Sequence, residues 1–332
     1  MDNTSHVSPL KRWLESLFVW YMLFMIVYLI LRFVIPIEWR FIAFINNLAP
    51  YLFVPVILGL LITLLLRSQR LIGLYALMTL VGVLWIVPPL LPASGTATDT
   101  GTSIEIISFN FYPDNTQAEE AVAWIGAYAP DIIALQELPD DASIFAPLDA
   151  AYPYQVVDLE RAESAIYSRY PIVDNDIIEL PYSPAQRLIL DILGQQIVVY
   201  NVHVFMPLND READWTILRY DEARRNADIE QLLAQIASET LPVILIGDLN
   251  MTEWSPMYHQ FTNTLTDAYR NSSWGIGATW PAGASEDFAG GYPRLFRIDY
   301  VWYTEPIEAV YAAVGANIGS DHLPLRVELA LP

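Results

Sequence analysis

The chemistry-bearing residues of this chain recur at one kind of position. Asn110, Glu137, His203, Asp248, Asn250, Asp299 and the Asp321–His322 pair sit at the C-terminal ends of apolar runs, or just beyond them. Strand ends that feed loops are where a rigid scaffold presents catalytic groups. The set holds only Asn, Asp, Glu and His, which is the chemistry that phosphoester cleavage asks for. A hard divalent cation takes carboxylate and amide oxygens, which Asn110, Glu137 and Asp321 offer. The reaction also needs an oriented water, a base, and positive character at the phosphoryl oxygens. Asp248 and Asn250 lie two apart, so on one extended segment both side chains point to the same side. One can orient water while the other donates to a phosphoryl oxygen. His203 and His322 can donate to phosphate or to the leaving oxygen, and Asp299 can fix the tautomer of His322.

Each residue alone has a structural reading. Asn110 could be a turn residue and Glu137 half of a salt bridge. Asp248 and Asn250 could form an Asx turn. Asp299 could be a buried hydrogen-bonding acid, and His322 a strand cap. Their joint occurrence favours chemistry. His6 and His259 fall in no such pattern and read as surface residues.

The elements that must position these groups follow from hydrophobic patterning. IEIISFN (104–110), DIIALQE (131–137), SAIYSRYPI (164–172), RLILDIL (187–193), QIVVYNVHVF (196–205), LPVILIGDLN (241–250), RIDYVWY (297–303) and LPLRVELAL (323–331) read as strands. Gly194 and Gln195 make a hairpin turn. A helix capped near Asp114 or Asn115 carries Ala118, Val122, Ile125 and Ala129 on one face. Residues 211–238 predict a long charged helix. Residues 271–296, rich in Gly and aromatics, predict a long loop beside the site, the usual place for a functional lid. Hairpins mixed with single helices imply two packed sheets covered by helices.

The chain is 332 residues long and 54% hydrophobic, too apolar for an ordinary soluble protein. The excess is local. Residues 1–92 carry six basic and three acidic residues, leaving a net charge of −24 for 93–332. Three apolar stretches, about 13–37, 49–66 and 71–92, approach the ~20 residues of a transmembrane helix. Residues 41–48, with Asn46 and Asn47, read as interfacial. The division is a membrane anchor at 1–92, a flexible linker at 93–103 and a catalytic domain at 104–332. Lys11 and Arg12 precede the first stretch, and Arg67 and Arg70 separate the second from the third. The positive-inside rule then places the acidic domain outside the cytoplasm, with Arg32 and Arg40 against it. No cysteine is present, which excludes a thiolate nucleophile and Cys-bound zinc. Lys11 is the only lysine, so a catalytic lysine in the acidic part is excluded.

IISFN, LQEL, SRYPI, YNVHV, IGDLN, RIDYVW and SDHLP resemble, in order, the signatures of the endonuclease/exonuclease/phosphatase superfamily. The resemblance spans residues 104–325, with GDLN and SDHLP the most specific segments. It implies a four-layer α/β sandwich, two packed mixed sheets flanked by helices, here preceded by three transmembrane helices. It implies Mg²⁺ or Mn²⁺ bound by Asn110, Glu137 and Asp321. It implies catalytic roles for His203, Asp248, Asn250, Asp299 and His322. Ser168 and Arg169 of SRYPI read mainly as structural, and Thr279–Trp280–Pro281 resembles a segment that the family places before its RID motif. A domain at −24 repels a polyanion, which disfavours nucleic acid. The anchor argues for a membrane lipid or lipid-linked phosphoester as substrate. The expectation is a multi-pass plasma-membrane hydrolase whose catalytic domain is extracytoplasmic. The rival readings are an extracytoplasmic nuclease and a non-enzymatic membrane scaffold. The oligomeric state is left open.

Overall fold

Runs of β-branched residues that alternate in and out of two packed sheets build the larger unit of this protein. A computed structural model describes residues 9–34, 40–93, 102–208, 220–282 and 293–331. Most of the expected linker, His6, the start of the expected 211–238 helix and residues 283–292 of the expected loop lie outside these. The chain divides into two units, Met1–Pro89 with Trp215–Tyr220, and Leu90–Asp214 with Asp221–Pro332.

The first unit is helical. Helix α1 runs Pro9–Phe33, α2 Arg40–Asn47, α3 Ala49–Leu65 and α4 Gln69–Ile86. By length and composition α1 and α4 can each cross a membrane. Helices α2 and α3 meet at a 70° bend and make a third span only if the pair counts as one. The three expected spans are thus two or three. Only 17% of the apolar window of α1 is buried, and Trp20, Leu23, Phe24, Val27 and Ile30 face outward. Such a surface suits lipid rather than water. Close helix approach rests on small residues: a Cβ on Gly59 would strike the ring of Tyr75, and one on Gly82 the ring of Phe53. Asn46 and Asn47, expected at an interface, are buried and partnered. Tyr28 donates to Asn46 Oδ1 at 3.2 Å, and Asn47 Nδ2 donates to the hydroxyl of Tyr220 at 2.8 Å.

The second unit holds two six-stranded mixed sheets among the described residues. The strands are β1 Ser103–Asn110, β2 Ile132–Gln136, β3 Tyr154–Asp158, β4 Ser164–Ser168, β5 Ile172–Glu179, β6 Pro184–Ile192, β7 Gln195–His203, β8 Val243–Asp248, β9 Thr266–Asp267, β10 Asp299–Tyr303, β11 Glu308–Val314 and β12 Leu325–Ala330. One sheet has the order β11-β12-β1-β2-β4-β3 and the other β5-β6-β7-β8-β10-β9. Each has one parallel pair at its centre, β1 with β2 and β7 with β8. Ile106, Ile132, Ala134, Leu188, Val199, Ile246, Val301 and Val327 join the facing sheets. Helices α5 (Ala118–Tyr128) and α6 (Ala146–Ala151) cover the first sheet. Helices α7 (Ala223–Ala237) and α8 (Tyr258–Phe261) cover the second. The short α9 (Ala268–Ser272) follows β9. This is the expected four-layer α/β sandwich.

The differences from expectation are local. SRYPI is not one strand: the chain breaks after Ser168, and β5 starts at Ile172 in the other sheet. The hairpin turn is Leu193–Gly194, both left-handed, as a two-residue type I′ loop requires. Helix α5 begins after Gln117 rather than at Asp114 or Asn115, and Ala129 ends it in the left-handed region. Helix α7 starts only at Ala223. Strands β3 and β11 carry weak alternation and were not expected.

A buried ionic cluster ties β9 and α9 to the segment leading into β10. Arg297 donates to Glu253 Oε2 at 2.7 Å and to Asp267 Oδ2 at 2.7 Å. Arg270 donates to Glu253 Oε1 at 2.6 Å, and the Tyr258 hydroxyl to Asp267 at 2.7 Å. Burial alone would raise the Asp267 pKa, but Arg297, the Tyr258 hydroxyl and Arg270 together outweigh it and lower the value. A carboxylate lowered in the folded state adds stability above its ordinary pKa of 3.8, and that contribution fades as pH falls through the folded value. We predict that Arg297→Met costs about 3–5 kcal/mol in unfolding of the detergent-solubilised chain at pH 7. Asp267→Asn should destabilise at pH 7 and lose its effect below its ordinary carboxylate range. A pH-independent loss for Asp267→Asn would contradict the assignment.

Candidate active site

Register brings the polar strand ends to one edge of the sandwich. In the first sheet Asn110 pairs with Gln136 across β1 and β2, which puts Glu137 one residue beyond. In the second, His203 pairs with Asp248 across the parallel β7–β8, and Asp248 pairs with Asp299 across the antiparallel β8–β10. The Asp321–His322 pair lies on the loop before β12, whose Leu325 pairs with Ser108 of β1. The Ser320 hydroxyl secures that loop: it donates to the Asn110 carbonyl at 2.8 Å and accepts from the His322 backbone N–H at 2.9 Å.

Asp248 stands at the centre. Its Oδ2 lies 3.8 Å from His203 Nε2 and 3.8 Å from His322 Nε2. Asn110 Nδ2 donates to Glu137 Oε1 at 2.8 Å and to Asp248 Oδ2 at 3.3 Å. His203 Nε2 also faces Glu137 Oε1 at 3.3 Å. Asp299 Oδ2 meets His322 Nδ1 at 2.9 Å, so the second nitrogen of that ring points at Asp248. The other Asp299 oxygen is buried without a hydrogen-bond partner among the described residues. Asp248, Asp299 and His322 all exclude solvent, whereas Glu137 and His203 keep about a quarter of their side chains open.

The electrostatics follow from that burial. Desolvation and the adjacent Asp299 charge push the Asp248 carboxyl up to about 7, against a lowering pull from both histidines. Burial would lower His322, but Asp299, Asp321 and Asp248 outweigh it and raise the ring well above its ordinary value. Asp321 is raised by burial, with Glu137 adding to the effect and His322 opposing it. A site with buried carboxylates raised by one another and an orphaned carboxylate oxygen is short of positive charge. Glu137, His203 and Asp248 can converge on one cation, as can Asp248, Asp299 and His322. The donor set therefore fits a divalent metal ion.

Two site residues occupy backbone space that non-glycine residues avoid. Glu137 has φ +50° and Asn250 φ +46°, at a cost of about 1–3 kcal/mol each. The strand ends at Asp248, so Asp248 and Asn250 are not on one extended segment as the spacing suggested. Asp248 Oδ1 accepts the Asn250 N–H at 2.7 Å in an Asx turn, and Asn250 Nδ2 donates to the Val204 carbonyl at 3.0 Å. Gly247 has φ +135°, and a Cβ there would lie 2.0 Å from the Val202 carbonyl oxygen. Only glycine lets β8 approach β7 this closely before the turn.

Seven of the eight expected positions thus stand around one centre. Asp321 stands at its margin, where its carboxylate accepts the Trp280 indole N–H at 3.3 Å. Arg169 is at the other end of its sheet, because Ser168 pairs with Ile132 at the start of β2. Among the described residues of the expected loop, Thr279 is buried, and its hydroxyl accepts the N–H groups of Ile298 and Asp299, while Trp274 is exposed. Sequence reasoning missed Arg225, which read as one charge on a polar helix. It is buried, donates to the Asn250 carbonyl at 3.0 Å and pairs with Glu222 at 2.9 Å. It also missed the amide network beneath the site. Gln136 donates to Asn201 Oδ1 at 2.6 Å, and Asn201 Nδ2 reaches the Leu135 carbonyl at 3.0 Å and Gln186 Oε1 at 2.9 Å. The position of Asn201 two residues before His203, on the same face of β7, was the only signal available.

Solved structures share this architecture. An endonuclease/exonuclease/phosphatase from Beutenbergia cavernae is 21% identical, covers 69% of this chain and 72% of its own, and superposes with a TM-score of 0.56. TDP2 from Caenorhabditis elegans is 19% identical over 71% of this chain and 77% of its own, TM-score 0.56. A mannosyl-6-phosphatase from Bacteroides thetaiotaomicron is 15% identical over 69% of this chain and 100% of its own, TM-score 0.54. At these identities the likeness is one of fold. No curated protein matches the sequence. The profile of the Endonuclease/Exonuclease/phosphatase family matches residues 107–322, which take in all eight site positions. The chain belongs to the endonuclease/exonuclease/phosphatase family, a family of hydrolases.

Proposed function

We propose that this chain is a membrane-anchored, divalent-metal-dependent phosphoester hydrolase that acts on a lipid-linked phosphate or phosphodiester at the outer face of the plasma membrane. The observation that carries the chemistry is the convergence of His203, His322 and Asn110 on one buried carboxylate, Asp248. Ionised Asp248 orients the attacking water and takes its proton. His322, held protonated by Asp299, donates to the phosphoryl group, and His203 does so from the open side. Asn250 fixes the turn that aims Asp248 and supports the phosphate contact beside it. Glu137, Asn110 and Asp321 would hold Mg²⁺ or Mn²⁺. When bound, the cation neutralises the carboxylate cluster and the phosphoryl oxygens.

The substrate reading rests on two features. Apolar helices at residues 9–86 suit a membrane and keep the site near lipid phosphates. The net charge of −24 over 93–332 works against a nucleic-acid polyanion. The family name includes nucleases, so DNA belongs in any substrate panel.

With Mg²⁺, the purified chain should release product from a lipid phosphodiester or phosphomonoester and leave duplex DNA intact; the reverse pattern would reject the substrate reading. EDTA, Asp248→Ala and His322→Ala should each lower turnover at least about 10³-fold with folding retained. Wild-type rates in either variant would reject the site. The raised Asp248 pKa has a second consequence. Its stabilising contribution is present below the ordinary 3.8 and is lost as pH rises through about 7. In EDTA, Asp248→Asn should therefore raise the thermal midpoint at pH 8, with the gain vanishing toward pH 4. Unchanged midpoints at pH 8 would contradict the burial argument. For orientation, alkaline phosphatase fused after residue 100 should be active when expressed in a bacterium; an inactive fusion would place the domain inside.

A further inference from the structure

Beside His203 the second unit holds an open cavity of about 250 Å³. Its walls include Tyr182, Phe205 and Met206, with Arg161, Glu163 and Ser183 at the polar side. Residues around Asp248 account for water, phosphate and metal, but none of them accounts for this space.

The two aromatic walls are held from one helix. Asp228 of α7 is buried, and its carboxylate accepts the Tyr182 N–H at 2.7 Å and the Phe205 N–H at 3.3 Å. One turn earlier on the same helix, the Arg224 guanidinium lies 5.5 Å from the Tyr182 ring centre and 5.1 Å from that of Phe205. The rings themselves meet edge to face at 5.9 Å. Three residues after Asp228, Gln231 donates to the Glu179 carbonyl at 2.7 Å, which ties down the end of β5. A helix that fixes two loop backbones and both rings above them prepares a surface before any ligand arrives. Tyr182 is nevertheless 52% exposed and Met206 43% exposed, so this surface is open for contact.

We infer that the cavity is the alcohol-side subsite of the phosphoester, and that it takes a single polyhydroxylated ring of sugar type, packed on Tyr182. This rests on the phosphoester-hydrolase reading above. The volume falls below the ~300–1,000 Å³ typical of larger ligands, which suits one ring. A lining that combines aromatic rings with hydroxyl and charged groups matches a molecule with a C–H face and a hydroxyl edge. Ser183, Glu163 and the Arg161–Glu179 ion pair supply donors and acceptors for hydroxyls. A cationic alcohol would compete with Arg224, which already occupies the place of a cation over both rings.

The test uses the full chain in phosphatidylcholine vesicles with Mg²⁺. Soluble probes are ethyl phosphate, cyclohexyl phosphate and glucose 6-phosphate. Lipid probes, at equal mole fraction in the vesicles, are phosphatidylethanol and phosphatidylglucoside. The glucosyl ester should exceed its ethyl and cyclohexyl counterparts by about tenfold in kcat/KM, the scale one pocket contact supplies. Preference in solution would identify a free sugar phosphate, and preference in vesicles a glycosylated lipid. Tyr182→Ala should collapse that ratio through KM, and Tyr182→Phe, which keeps the ring face, should preserve it. A ratio cancels any general loss of activity in the variants. Equal hydrolysis of all esters, or a ratio untouched by Tyr182→Ala, would overturn the subsite and leave the hydrolase reading standing. Hydrolysis of none of the five would overturn both.

Discussion

Two carboxylates face each other across a single β-rung. Asp248 and Asp299 pair in register between β8 and β10, both buried. Water cannot screen them there, and their repulsion helps hold the Asp248 carboxyl near 7. Much of the surrounding structure makes this arrangement tolerable. His322 takes the Asp299 charge through Nδ1 and offers its other edge to Asp248. Asn110 crosses from the opposite sheet with an amide N–H aimed at the same oxygen. A bound divalent cation would complete the compensation that the side chains only begin.

Holding such a centre needs rigid supports behind it, and these are largely ionic or amide-based rather than apolar. Arg225 reaches from α7 to the carbonyl of Asn250 and steadies the turn after β8. Arg297, inside its cage of Glu253 and Asp267, secures the approach to Asp299. Asn201 links the two sheets beneath His203 and Glu137. The left-handed backbones at Glu137 and Asn250 persist because both flanks are tied down in this way. Helix α7 serves two surfaces: Arg225 turns inward to the turn after Asp248, and Arg224 turns outward to the aromatic walls of the neighbouring cavity.

Residues 93–332 hold few cations, eleven arginines and no lysine. Among the described residues most guanidinium groups are committed, as with Arg187 to Glu239 and Arg326 to Glu105. A helical unit that exposes large apolar side chains suits association with a membrane.

Strand ends were legible in the sequence because each is an apolar run terminated by a polar residue, and their order matched the family. Hydrophobic period and composition were enough for the sandwich, for the apolar leader and for the eight candidate positions. The bent α2–α3 pair was not legible, since composition is blind to a break in helix direction. Neither were β3 and β11, which carry little apolar alternation. The amino-acid types alone determined that hard-oxygen and imidazole chemistry was available. Only the tertiary structure decided that Asp248, rather than Glu137 or Asp321, is the buried centre. It also decided that Asn250 braces a turn, and that Arg224 and Arg225 face opposite ways. Those outcomes depend on register and on burial. Both arise from contacts between residues tens to hundreds of positions apart, which local pattern does not encode.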